Sequence, residues 1–214
     1  MKIGIIGSGQ VGQTLAKAFI LEGHEAMLGT RDPGKDDVVK FKSNNVGVLT
    51  GTFEEAAKFA EIIVLATKGT VAENAVELAG KENFDGKIVI DTTNPIADAP
   101  PDKGVLRFTT GLDSSLMENI QNKIPAAKVV KAFNSVGNNV MYKPSYSGGT
   151  PTMFICGNDA GAKQTVTQIL ESFGYEAEDM GGVEAARAIE PLCILWCIPG
   201  FIRNQWTHAF KLLK

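Results

Sequence analysis

Apolar residues return along this chain in two alternating rhythms. Short, nearly continuous apolar runs at Lys2–Ile6, Ala26–Gly29, Glu61–Ala66, Lys87–Asp91 and Ala127–Ala132 are separated by stretches with apolar residues every three or four positions. Continuous runs bounded by turn residues are the pattern of strands buried on both faces, and the longer period marks helices. Strand and helix in strict alternation predict an α/β protein with a doubly wound parallel sheet. The first helix carries Val11, Leu15, Ala18, Phe19 and Leu21 inward and ends near Gly23. A polar helix is expected over Asp36–Asn44, then a short strand at Gly47–Leu49. Thr52 with Glu55, Thr70 with Glu73, and Ser115 with Glu118 have capping-box spacing and predict helix starts, running to about Phe59, Ala79 and Lys123. Ile96–Gly104 has loop composition. Beyond Ser145–Thr150 the pattern resumes with a strand (Pro151–Cys156), a helix (Ala160–Phe173) and a strand (Tyr175–Asp179). Gly181–Ile189 and Leu192–Leu213 read as helical, with an interruption near Pro199-Gly200.

The turn after the first run carries specific chemistry. Gly7, Gly9 and Gly12, with Ser8, Gln10 and Val11 between them, have the G-x-G-x-x-G spacing that binds a dinucleotide pyrophosphate. The first glycine permits the turn, the second admits the phosphates and the third lets helix and strand pack closely. The anion then faces the free N–H groups of a helix N-terminus. After the second strand an NAD-specific site would place Asp or Glu for the ribose 2′-OH. Here Gly29 and Thr30 occupy that place, followed by Arg31 and, four residues on, Lys35. A hydroxyl and two cations suit the 2′-phosphate of NADP, with Asp32 as a competing neutraliser of Arg31. Ala66, Thr67 and Lys68, and likewise Asn94 and Pro95, follow later strands. There they line the same crevice, and Thr67 and Asn94 are candidates for hydrogen bonds to ribose or carboxamide.

Bulk composition narrows the partners. The net charge of −3 with scattered basic residues excludes an obvious nucleic-acid or anionic-membrane surface. Leu192–Ile202 is short for a membrane span and holds Pro199, and the first strand begins at residue 2, so a cytoplasmic protein is expected. The three cysteines form no C-x-x-C pair. Cys193 and Cys197 share a helix face but lack a third metal ligand, so no metal site is expected. No catalytic constellation emerges either. Tyr142 and Lys143 are adjacent, no G-x-S-x-G or H-E-x-x-H occurs, and there are two histidines. Lys68 and His208 remain possible proton donors, though a loop lysine and a tail histidine are the plainer readings. Hydride transfer to a flavin-like ring needs stacking and water exclusion more than acid–base help.

The GSGQVG turn, the GTRDPGK segment, KAFNSVG after the sixth strand and the late EPLCILW segment together resemble the NADP-dependent reductases of coenzyme F420, a deazaflavin. The resemblance covers nearly the whole chain. It implies a Rossmann NADP-binding domain over residues 1–133 and a small C-terminal α/β addition, 134–214, for acceptor binding and dimerisation. It also implies a homodimer and hydride exchange between NADP(H) and F420 or a flavin-like acceptor. Asn134, Ser135 and Val136, with Pro191 and Trp196, would then face the second ring. Leu192, Leu195, Trp196 and Phe201 are expected to form an apolar interface patch. NADPH-dependent reduction of a small carbonyl or imine, and a non-catalytic NADP(H) sensor, are the alternative functions.

Overall fold

Strand β1 (Lys2–Ile6) is the centre of the molecule, paired on one side with β2 (Glu25–Thr30) and on the other with β4 (Ile62–Leu65). The computed structural model describes residues 1–214. β3 (Val48–Thr52) lies outside β2, while β5 (Ile88–Asp91) and β6 (Lys128–Lys131) extend the other side, giving the order β3-β2-β1-β4-β5-β6. Every pairing is parallel. This is the doubly wound Rossmann order, and the crevice falls beyond the carboxyl ends of β1 and β4, where the winding reverses. Ile3 and Ile5 point into one apolar layer and Ile6 and Ile63 into the other, so the sheet is buried on both faces.

The connecting helices are α1 (Gln10–Leu21), α2 (Asp36–Asn44), α3 (Phe53–Phe59), α4 (Gly69–Ala79) and α5 (Leu116–Lys123). Thr52 closes a full capping box with Glu55 at the start of α3, a device worth about 1 kcal/mol. Thr52 is also the last residue of β3. That strand therefore runs three residues past the Gly47–Leu49 expected from sequence, because Thr50, Gly51 and Thr52 register with Leu28, Gly29 and Thr30. The Thr70–Glu73 box is absent. Helix α4 starts earlier, with Lys68 as its cap residue and Gly69 as its first turn, so Thr70 already has helical neighbours on both sides. Gly69 allows this: a Cβ there would fall 2.0 Å from the Asn94 carbonyl oxygen.

The C-terminal addition is a small parallel unit, β7 (Thr152–Ile155), α6 (Ala160–Ser172) and β8 (Glu176–Asp179). It meets the main sheet through a bridge between Lys131 and Cys156, and its Ile155, Phe173 and Tyr175 belong to the same apolar cluster as Ile3 and Phe19.

A 3-10 turn (Val183–Ala185), α7 (Ala186–Ile189) and α8 (Leu192–Arg203) follow. Two expectations fail here. Helix α8 passes through Pro199 rather than breaking, held by burial of Cys193, Trp196 and Gly200 against the body. It stops at Asn204, which takes the left-handed conformation (φ +53°), so the tail to Leu213 is not helical. By length and composition Val183–Arg203 would suffice to cross a membrane. Its Glu190 is buried in an ion cluster and its Trp196 in the core, as in a helix packed on its own protein.

Candidate functional site

The glycine turn behaves as its three positions require. Gly7 sits at φ +129°, and a Cβ there would lie 2.3 Å from the Ala66 carbonyl oxygen. A Cβ on Gly12 would lie 1.9 Å from the Gly7 carbonyl oxygen, so α1 can approach the turn only without a side chain. Gly9 is different. Nothing stands within 4 Å of its would-be Cβ, and it is exposed at the start of α1, whose first turn has no side-chain cap. The protein itself does not require glycine at position 9, whereas a close-lying phosphate would.

Beside the turn, the Ser8 hydroxyl donates to Thr30 Oγ1 (3.1 Å), and the Asp32 N–H contacts the same oxygen at 3.4 Å. Asp32 does not neutralise Arg31: its carboxylate accepts from the Gly34 N–H at 2.9 Å and closes the turn. Arg31 is exposed and in no ion pair, while Lys35 is paired with Asp37 at 2.9 Å. This edge of the crevice thus presents a buried threonine hydroxyl, an unpaired guanidinium and a lysine whose charge is partly answered.

A cleft of about 640 Å³ opens next to the turn. Val11, Ala66, Thr67, Lys68 and Asn94 line it, as do Thr92 and Thr93. Its outer wall is the segment from Ile96 to Pro100. That segment is the start of an excursion folded on itself by the Ala97 N–H to the Arg107 carbonyl (2.9 Å) and the Thr109 N–H to the Pro95 carbonyl (2.7 Å). Thr67 Oγ1 is buried and has no partner in the protein. A buried hydroxyl left unpaired costs of order 1–3 kcal/mol, so this oxygen is available to a ligand in the cleft. The open cradle at Gly9, the unpaired Arg31 and the Thr67 hydroxyl together fit a phosphorylated dinucleotide.

Asn134, Ser135 and Val136 are buried behind the cleft and do not line it. Asn134 Nδ2 donates to Asn94 Oδ1 (3.1 Å) and to the Ile189 carbonyl (3.0 Å). Pro191 is half-buried at the start of α8. Trp196 packs against the backbone of Gly137, joining EPLCILW to the loop after β6. Its ring is not open to a ligand. It is 6% exposed, stacked on His208 with centroids 5.0 Å apart, and its Nε1 donates to the His208 carbonyl at 2.8 Å. Burial therefore removes Trp196 from the expected interface patch. The exposed apolar residues of α8 are Leu195, Phe201 and Ile202, and Leu192 is only partly exposed. His208 is fixed by the same pairing and is not a mobile donor.

The sequence reading missed a buried ionic cluster beneath the cleft. Lys131 Nζ lies 2.7 Å from Asp91 Oδ2, 2.9 Å from Glu190 Oε1 and 2.8 Å from the Thr93 carbonyl oxygen. Glu190 also accepts the Leu116 and Met117 N–H groups, each at 3.0 Å, at the N-terminus of α5. Asp91 accepts from the Thr93 N–H and hydroxyl. Burial alone would push the Lys131 ammonium down, but Asp91 and Glu190 outweigh it and hold its pKa above the ordinary lysine value. Close by, burial pushes the Cys156 thiol up to about 12. The available signal was a charged residue ending each of two apolar strands, Asp91 on β5 and Lys131 on β6. On the surface nearby, the Arg187 guanidinium holds the Glu118 carboxyl below its usual range.

The comparisons agree with this geometry. The family model described as "NADP oxidoreductase coenzyme F420-dependent" matches residues 2–95, the glycine turn and the first half of the cleft. The F420-dependent NADP reductase of Methanothermobacter marburgensis is 30% identical over 226 residues, covering 99% of this chain and 99% of its own. A crystal structure from Arthrobacter sp. FB24, provisionally described as an F420-dependent NADP reductase, superposes over 100% of both chains with a TM-score of 0.93 and 33% identity. The rat metalloreductase STEAP3 is 31% identical over 92% of this chain, but the chain spans only 38% of that protein's length. By its 30% identity with the Methanothermobacter reductase over nearly the full length of both, the chain belongs to the coenzyme F420-dependent NADP oxidoreductase family.

Proposed function

We propose that this protein transfers hydride between NADP(H) and a deazaflavin of the coenzyme F420 type, or a flavin-like ring. The observation that carries the proposal is the pairing of an unpaired Arg31 beside Thr30 with a cleft that is mostly apolar and carries a few polar side chains, Thr67, Thr92, Thr93 and Asn94 among them. In this reading Gly7, Ser8, Gly9, Gln10, Val11 and Gly12 hold the pyrophosphate, and Thr30, Arg31 and Lys35 hold the 2′-phosphate. Ala66, Thr67, Lys68, Asn94 and Pro95 flank the nicotinamide half. NADP(H), when bound, supplies or takes up the hydride. The protein's part is to orient two rings and exclude water, for which the Ile96–Pro100 wall and the unpartnered Thr67 hydroxyl are suited. The Asn134–Val136 segment, Pro191 and Trp196 support the acceptor side from behind.

Residues 1–133 form the NADP-binding domain in this account, and residues 134–214 the acceptor-site and dimerisation region. The assembly is a homodimer through the exposed apolar residues of α8, and the protein works in the cytoplasm. The test is NADPH oxidation by purified protein against a panel of F420, FMN, FAD, quinones and small carbonyl and imine compounds. Turnover with F420 or a flavin supports the proposal. Turnover confined to carbonyls or imines, or tight NADPH binding with no turnover at all, overturns it.

A further inference from the structure

Two buried clamps join the inner wall of the cleft to the start of α8. Lys131 Nζ donates to the Thr93 carbonyl and ion-pairs with both Asp91 and Glu190. One residue away on each side, Asn134 ties Asn94 to the Ile189 carbonyl, and the Asn94 amide returns a bond to the Asn134 carbonyl at 2.8 Å. The clamps therefore link the same two segments, Thr93–Asn94 on the cleft side and Ile189–Glu190 on the helix side. Thr93 and Asn94 line the cleft; Lys131, Asn134 and Glu190 do not.

A cluster of one ammonium and two carboxylates, all at 1% exposure or less, is an expensive way to hold a loop. Apolar side chains of similar volume would contribute as much stability, but they would not fix the rotation and height of a polar turn. The polar contacts of the clamps end on backbone groups, carboxylates, the Thr93 hydroxyl and the Asn94 amide, and their directions set where Thr93 and Asn94 stand. Three donors face the Glu190 carboxylate: the Leu116 N–H, the Met117 N–H and the Lys131 ammonium. α5 and β6 thus meet at the Glu190 carboxylate just ahead of α8, and β5 joins them through Lys131.

We propose that Lys131, Glu190 and Asn134 are positioning residues for hydride transfer, holding the Thr93–Asn94 wall against the start of α8. They set the pose of the nicotinamide half without touching it. The inference rests on the placement of that half in this cleft, as in the proposed function, but not on the identity of the acceptor.

The working variants are Asn134→Ala, which deletes one clamp, and Glu190→Gln, whose amide nitrogen must face one of three donors. Ile120→Val, a core truncation on α5, serves as the stability control. For each, dissociation constants of NADPH and of 2′,5′-ADP, which lacks the nicotinamide half, are measured together with the melting temperature. The clamp variants should keep the affinity for 2′,5′-ADP and lose about tenfold of the extra affinity for NADPH, the effect of about one hydrogen bond. Ile120→Val should lose stability and keep both affinities. Clamp variants that weaken both ligands equally, or neither, would overturn the inference, and so would a fall of the NADPH increment in Ile120→Val. If the wild type binds NADPH no more tightly than 2′,5′-ADP, the placement of the nicotinamide fails, and the clamp with it. That result is told apart from a wrong acceptor because no acceptor enters the assay. Should Glu190→Gln not fold, Asn134→Ala decides alone.

Discussion

Arg31→Ala separates recognition of the cofactor's 2′-phosphate from recognition of its pyrophosphate. Arg31 is exposed, forms no ion pair and follows the end of β2, where the adenosine ribose of a Rossmann cofactor lies. Its neighbours cannot replace it. Lys35 is shared with Asp37 at 2.9 Å, and the exposed Asp32 carboxylate accepts from the Gly34 N–H. A dianionic 2′-phosphate therefore draws most of its local positive charge from one planar guanidinium. Losing one charged hydrogen-bonding partner costs about 1.5–3 kcal/mol, or roughly ten- to a hundredfold in affinity. NADH has no phosphate there, and its affinity should change less than about twofold, well under 1 kcal/mol. Titration of wild type and variant with both reduced cofactors at low and moderate salt reads the difference directly. The NADPH penalty should shrink as salt rises, since the site is open to solvent. Equal weakening of NADPH and NADH, or no weakening of either, would refute the reasoning.

Further outcomes follow from other parts of the structure. Gly9→Ala should leave the melting temperature unchanged, because its Cβ meets open space, yet weaken NADPH; Gly12→Ala should destabilise the fold, because its Cβ falls 1.9 Å from the Gly7 carbonyl oxygen. Thermal unfolding with and without NADPH tests both. Lys68→Ala and His208→Ala should each keep turnover within about tenfold, roughly 1.4 kcal/mol of barrier, since hydride transfer here leans on no side-chain acid. His208→Ala should instead lower stability by freeing Trp196, and a loss of several thousandfold in turnover from either variant would contradict this. The Glu118 carboxyl, lowered by Arg187, adds stability above the ordinary glutamate pKa that is lost as pH falls through its lowered value. Urea unfolding of wild type and Arg187→Ala should therefore differ at neutral pH and converge in acid. Replacing Leu195 and Ile202 together by Glu should convert a dimer into a 22.8 kDa species in sedimentation, with the fold intact by circular dichroism.

Strands buried on both faces announce themselves as unbroken apolar runs, which is why β1, β4 and β5 were legible within a residue or two of their ends. β3 was less so, because Thr50-Gly51-Thr52 has no apolar run or alternation to mark it and Gly51 disfavours a strand, so its register with β2 decides it. The glycine turn was readable because each glycine answers a local steric demand. Helix α8 was misread at both Pro199 and its end. Burial of Trp196 on Gly137, 59 positions away, decides its course, and such a contact joins distant segments. The ionic cluster was hidden for the same reason. Lys131 and Glu190 are 59 positions apart in sequence order yet form an ion pair, and no local pattern marks one as the partner of the other. Local rules thus reveal the glycine turn and the strand-end loops beside it. The contacts around Asn134, Ile189 and Trp196 are tertiary and leave no local mark.

The central claim is direct hydride passage between two rings held in one cleft. NADPH carrying deuterium at the transferable C4 position, incubated with the protein and oxidised F420, tests it in a single turnover. The account predicts that the deuterium appears on the ring of the reduced acceptor, with a primary isotope effect on the transfer step. Deuterium that is lost to water, or that remains in the cofactor while the acceptor stays oxidised, would contradict it.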